Sequence, residues 1–206
     1  MKPTLLIIVL AVLLGCGNSP DKTANVNVLL STDTDAIAIA NVGVLKSELV
    51  LNQIEGVWYY NNQPYNGYSL KFHKNDLLKE KLGFFKGKRQ GQAKTWSERG
   101  VLRTVSFYNQ NKLTGVYKSY WENGNLALQV HYKDGKKQGE EKQWYPNGTL
   151  AKQRWLEDGK EKGMQKAWLS NGKLYVNYEV KNGRVFGLMR SNSCYKLENE
   201  KVTKKI

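Results

Sequence analysis

The sequence predicts an all-β fold, an elongated twisted antiparallel meander built from a 24-residue β-hairpin repeat. Three observations predict it. Glycines stand at Gly67, Gly91, Gly115, Gly139, Gly163 and Gly187, each 24 residues after the last, and a fixed period of this size marks an architecture in which one small unit is stacked many times. Turn-forming dipeptides punctuate the units at regular offsets. The stretches between them are too short for helices and sustain no 3.6-residue period.

Residues 1–15 begin with one positive charge, Lys2, followed by the apolar run Leu5 to Leu14. This is a signal-peptide pattern. Ten apolar residues make a helix of about 15 Å, half of a bilayer core of about 30 Å, so a spanning helix is not expected. Leu13-Leu14-Gly15-Cys16 resembles the bacterial lipobox, which implies cleavage before Cys16 and lipidation of Cys16. Gly17 is not acidic, which in lipoproteins of this kind is compatible with delivery to the outer membrane. The expected location is the cell envelope, at the outer or the plasma membrane.

Residues 16–44, rich in Asn, Ser, Thr, Asp and Ala, read as a flexible tether. Residues 45–66 carry Gly56-Val57-Trp58-Tyr59-Tyr60 and Asn61-Asn62, a strand and turn that read as an imperfect first copy, as terminal repeats usually are.

Residues 67–186 hold five full units. Counting each glycine as position one, position six is aromatic (Phe72, Trp96, Tyr120, Trp144, Trp168) and position twelve is leucine (Leu78, Leu102, Leu126, Leu150, Leu174). These two columns are the expected packing ladder. Between them lie Arg99-Gly100, Asn123-Gly124, Asn147-Gly148 and Asn171-Gly172, read as type I′ hairpin turns because Asn-Gly tolerates two left-handed residues in succession. The first unit has Asp76 where later ones have glycine. A second turn set, Lys86-Gly87, Gln110-Asn111, Asp134-Gly135, Asp158-Gly159 and Asn182-Gly183, joins the hairpins into a meander. Residues 187–206 read as a capping strand, with a charged tail that frays.

The chain carries 32 Lys and Arg against 18 Asp and Glu, a net charge of +14. Such a balance favours anionic partners or serves solubility. Position four of the later units is always lysine (Lys94, Lys118, Lys142, Lys166), so stacking predicts a cationic stripe with about 10 Å between charges. It is the candidate binding surface, for anionic headgroups or an acidic protein; the alternative is that these lysines keep a long sheet soluble and unpaired. The only histidines, His73 and His131, occupy non-equivalent positions with no ligand cluster, so no metal is expected. Apart from Cys16 the one thiol is Cys194, read as a small buried hydrophobe. No catalytic arrangement or phosphate-binding loop stands out, and neither an enzyme nor a cofactor is expected.

Tyr120-Trp121-Glu122-Asn123-Gly124-Asn125-Leu126 followed by Tyr132-Lys133-Asp134-Gly135-Lys136 resembles the MORN-repeat variant of YwqK-like proteins. The resemblance runs from about Gly56 to Gly187, and its C-terminal part looks like bacterial lipoprotein members. It implies a membrane-associated scaffold or, alternatively, an antitoxin or immunity protein whose partner is a toxin. Oligomeric state is left open, and export argues against nucleic acid.

Overall fold

The structure, a computed structural model, describes residues 39–189, 195–199 and 201–204. The signal segment, Cys16, most of the tether and Cys194 lie outside the described residues. The chain runs through β1 (Gly43–Leu45), a 3-10 turn (Lys46–Glu48), β2 (Val50–Asn52), β3 (Val57–Tyr60) and β4 (Gln63–Pro64). The repeats follow as β5 (Gly67–Phe72), β6 (Leu78–Phe85), β7 (Lys88–Arg89), β8 (Gly91–Trp96), β9 (Leu102–Asn109), β10 (Lys112–Tyr120) and β11 (Leu126–Lys133). They continue as β12 (Lys136–Trp144), β13 (Leu150–Glu157), β14 (Lys160–Trp168), β15 (Leu174–Lys181) and β16 (Arg184–Leu188), before β17 (Tyr195–Glu198) and β18 (Lys201–Lys204).

One 13-stranded sheet takes β1, β5, β6 and β8 and then every strand in chain order to β16, with β7 also on β6. This is the predicted all-β meander, elongated because each unit adds two strands, or about 10 Å. Three terminal features differ from expectation. β1 pairs in parallel with β5, so the sheet begins two residues inside the expected tether. The segment from β2 to β4 forms its own three-stranded sheet instead of extending the meander. Part of the expected frayed tail is a strand, since β18 pairs with β17.

The two turn sets exchange the roles expected of them. Asp134 and Gly135 both have positive φ, 50° and 83°, and Lys133 pairs with Lys136; this two-residue loop is the type I′ turn. In the other set Gly124 is left-handed at 84° while Asn123 is not. There the amide of Gly124 donates to Trp121 O at 2.9 Å and that of Trp121 to Asn125 O at 2.8 Å, the pattern of a three-residue loop closed by a left-handed glycine. Asn123 serves it through its side chain, Oδ1 accepting from the amide of Asn125 at 3.1 Å. Asp76, at φ 60°, fills the glycine position of the first unit. A Cβ at Gly124 meets nothing within 4 Å, so Gly124→Ala isolates the backbone cost. It is expected to lower stability by about 1 to 2 kcal/mol in a chemical melt.

The glycine that sets the period marks a bulge. Val130 lies opposite Glu141 but the next residue, His131, lies opposite Gln138, leaving Gly139 (φ 77°) and Glu140 as extra residues. The same slip recurs between β9 and β10 and between β13 and β14. Each such bulge raises the local twist.

The two invariant columns are direct cross-strand partners: Phe72 with Leu78, Trp96 with Leu102, Tyr120 with Leu126, Trp144 with Leu150 and Trp168 with Leu174. None of these ten residues is fully buried, and Phe72 is 43% exposed. Burial deepens instead along positions three and sixteen, paired as Ser69 with Leu82, Ala93 with Ser106, Tyr117 with Val130, Glu141 with Arg154 and Gln165 with Tyr178, all buried except the half-buried Tyr117 and Arg154. At the N-terminal end Leu49, Tyr65, Leu82, Phe84 and Ala93 form an apolar cluster backed by Val44, Trp58, Tyr60 and Tyr108. The small sheet is fastened there by Trp58 N donating to Gly87 O and Gly87 N to Tyr65 O, both at 2.7 Å.

Candidate interaction surface

Register places the four candidate lysines in one row across the sheet. Lys94 pairs with Val105, which pairs on its other side with Lys118. Lys118 then meets Gln129, Gln129 meets Lys142, Lys142 meets Gln153, Gln153 meets Lys166 and Lys166 meets Asn177. An uncharged residue thus separates each lysine from the next, which spares the sheet the repulsion of like charges directly opposed. The exception lies at the start of the row, where Lys81 pairs with Lys94; Lys81 turns its amine over the Tyr68 ring, 4.3 Å from the centroid.

The lysines are half-buried along their stems, as long cationic side chains lying on a sheet usually are. Lys142 holds Glu140 at 2.8 Å, and the two groups bonded to Glu140, Lys142 first and then Gln153, keep its carboxyl below the usual range. Among the described residues Lys94 and Lys118 have no carboxylate within ion-pair distance.

Beside the row lie apolar patches the sequence reading missed. Phe107 and Val116 line one shallow depression with Lys118, Tyr120 and Gln129. Trp155 (51% exposed) and Met164 (46% exposed) line a groove of about 740 Å³ with Gln138, Gln153, Lys162 and Lys166. Phe107 and Trp155 share a repeat position, as do Val116 and Met164, two units apart. A two-unit spacing is invisible to an alignment that seeks identity in every unit.

The units are locked to one another by position seven, another residue set without sequence identity. His73 Nε2 contacts Trp96 O at 2.9 Å, Trp121 Nε1 donates to Trp144 O at 2.9 Å and Tyr145 Oη donates to Trp168 O at 2.8 Å. His73 is therefore a fastener in the fold, and His131 lies exposed in β11. In the second unit Ser97 Oγ donates to Glu122 Oε1 at 2.8 Å, joined by Arg99 Nε at 2.9 Å and by Arg103. The Ser97 bond and then the Arg99 guanidinium hold the Glu122 carboxyl down to about 2.

The opposite face changes character along the body. Toward the C-terminal end its buried column carries Glu141, 0% exposed, bonded by Lys137, by Arg154 Nε at 2.9 Å and by Gln143 Nε2 at 3.0 Å. Burial alone would raise the Glu141 carboxyl, but the bonds from Lys137 and Arg154 outweigh it and hold the carboxyl low. Arg154 continues to Glu161 at 3.6 Å, which accepts from Tyr178 Oη at 2.8 Å. Burial first, and Glu161 second, push the Tyr178 phenol up to about 12.

Among the described residues no helix is long and apolar enough to cross a membrane. A family model described as the MORN repeat variant matches residues 113–134 and 137–154. Those are the stretches that run from β10 to β13, the third unit and part of the fourth. No curated protein matches the chain significantly.

Proposed function

We propose that this chain is a non-enzymatic, lipid-anchored protein of the cell envelope whose repeat surface binds an anionic macromolecular partner. The match to the MORN repeat variant supports a repeat-based interaction module. The observation that carries the anionic choice is the row of Lys94, Lys118, Lys142 and Lys166, spaced two strands apart on a face with exposed apolar patches. A cationic row of this pitch attracts anionic headgroups with about 1 kcal/mol per residue near a membrane surface. Tethering through Cys16 would hold it within reach of such a surface. In the immunity reading, the same row would meet an acidic exported toxin.

The test replaces all four lysines with glutamate and measures binding to vesicles containing phosphatidylglycerol at low salt, with a thermal melt as a check on folding. Binding is expected to fall at least about tenfold, the equivalent of about 1.4 kcal/mol. Unchanged binding overturns the row as the contact surface. Lys94→Glu with Lys118→Glu, which breaks no ion pair, is the fallback if the fourfold variant melts early.

A further inference from the structure

A second site lies away from the lysine row, where the turn after β1 crosses the buried face of the first two units. Lys46 places its amine 3.8 Å from the centroid of Trp58 and 4.9 Å from that of Phe84. The amine is shielded from solvent and has no hydrogen-bond acceptor, an arrangement that costs free energy unless an anion completes it. It borders an open cleft of about 400 Å³, lined also by Glu80, Arg89, Ser106, Tyr108 and Tyr117, a size in the range of small-molecule sites.

The charges of the cleft indicate what it takes. Arg89 lies over the Tyr108 ring at 5.5 Å and makes no ion pair among the described residues. Two cations against the single carboxylate of Glu80 leave the lining with one net positive charge, a match for a monoanion. Burial first lowers the Lys46 amine to about 8, Glu80 opposes the fall, and Arg89 and Lys71 add to it. The field at the amine is thus one that an anion would relieve. The Thr95 and Thr104 hydroxyls, 2.6 Å apart, and Ser106 add hydrogen-bonding capacity, while Trp58, Leu82 and Tyr108 supply apolar wall.

We infer that this cleft binds the carboxylate group of a small molecule with an apolar or aromatic body, Lys46 and Arg89 being its paired cations. The four-carbon stem of Lys46 lets the amine turn from the ring face of Trp58 toward the entering oxyanion, so Trp58 reports occupancy. This site is independent of the lysine row, and the failure of either leaves the other standing.

The probe is benzoate, titrated into the full chain at neutral pH. The readout is the indole N–H resonance of Trp58, assigned with Trp58→Phe, and benzyl alcohol is the neutral control. A saturable shift is expected with benzoate and not with benzyl alcohol. Lys46→Met should weaken benzoate at least about tenfold, while Lys46→Arg keeps most of the affinity. If Lys46→Met unfolds, Arg89→Gln, which alters only the rim cation, should weaken benzoate severalfold. The inference is overturned by no saturable shift up to about 20 mM, a concentration that reaches ligands well beyond millimolar affinity. Equal shifts with benzoate and benzyl alcohol, or affinity unchanged in the folded variants, also overturn it.

Discussion

Phe84→Ala is expected to destabilise the N-terminal end by about 3 to 5 kcal/mol, the cost of emptying a buried aromatic site. Phe84 is 0% exposed, with Trp58 and Tyr65 rings at 6.1 Å and 5.9 Å. It is the residue on which the small sheet and the first unit meet, so neither side can collapse without moving the other. Stability in stacked repeats is a sum of local terms, and the loss should therefore stay local. Hydrogen exchange should accelerate in β3, β5, β6 and β8 and stay near its original rate in β13 to β15. Uniform acceleration along the sheet would show instead that the body unfolds as one unit.

Glu141→Ala carries the second large effect, about 3 kcal/mol. Removing one partner of a buried ion pair typically costs 3 to 5, and the low end applies because Arg154 and Lys137 keep partial contact with water. The third unit provides the control, since Tyr117 and Val130 occupy the equivalent paired positions. Placing that pair in the fourth unit, through Glu141→Tyr with Arg154→Val, is expected to recover most of the loss, because the fully buried charge is gone and the two partners left behind, Lys137 and Glu161, keep contact with water. A chemical denaturation series of the single and double variants measures the difference. A double variant as unstable as Glu141→Ala would mean that the fourth unit needs its charges for packing geometry.

Much of this architecture could be read from the chain because glycine spacing and turn dipeptides are local devices that every unit shares. The roles of the two turns were harder to read. Asn123-Gly124 and Asp134-Gly135 look alike in sequence, and what separates them is loop length, set by where the strands end: three residues between Trp121 and Asn125, two between Lys133 and Lys136. The deeply buried column was hidden for the opposite reason. Ser69 with Leu82, Ala93 with Ser106 and Glu141 with Arg154 repeat no residue type at either position, because each pair needs only to be complementary to itself. Of the candidate surface, the lysine row followed from position four alone. Lys46 stands outside the five full units, and only the fold brings it under Trp58 and beside Arg89.

The fasteners between units have a consequence for length. Trp121 reaches the carbonyl of Trp144 and Tyr145 that of Trp168, while on the other edge Gly135 N donates to Leu113 O and Gly159 N to Lys137 O, both at 2.8 Å. Each such bond joins a unit to its immediate neighbour, so a duplicated unit would arrive with its own donors and acceptors already matched. The body can therefore lengthen in whole steps of about 10 Å, each adding one lysine to the row, while the cluster at one end and the ion network toward the other stay as they are. Reach is a quantity such a gene can adjust by copying, without redesigning a contact.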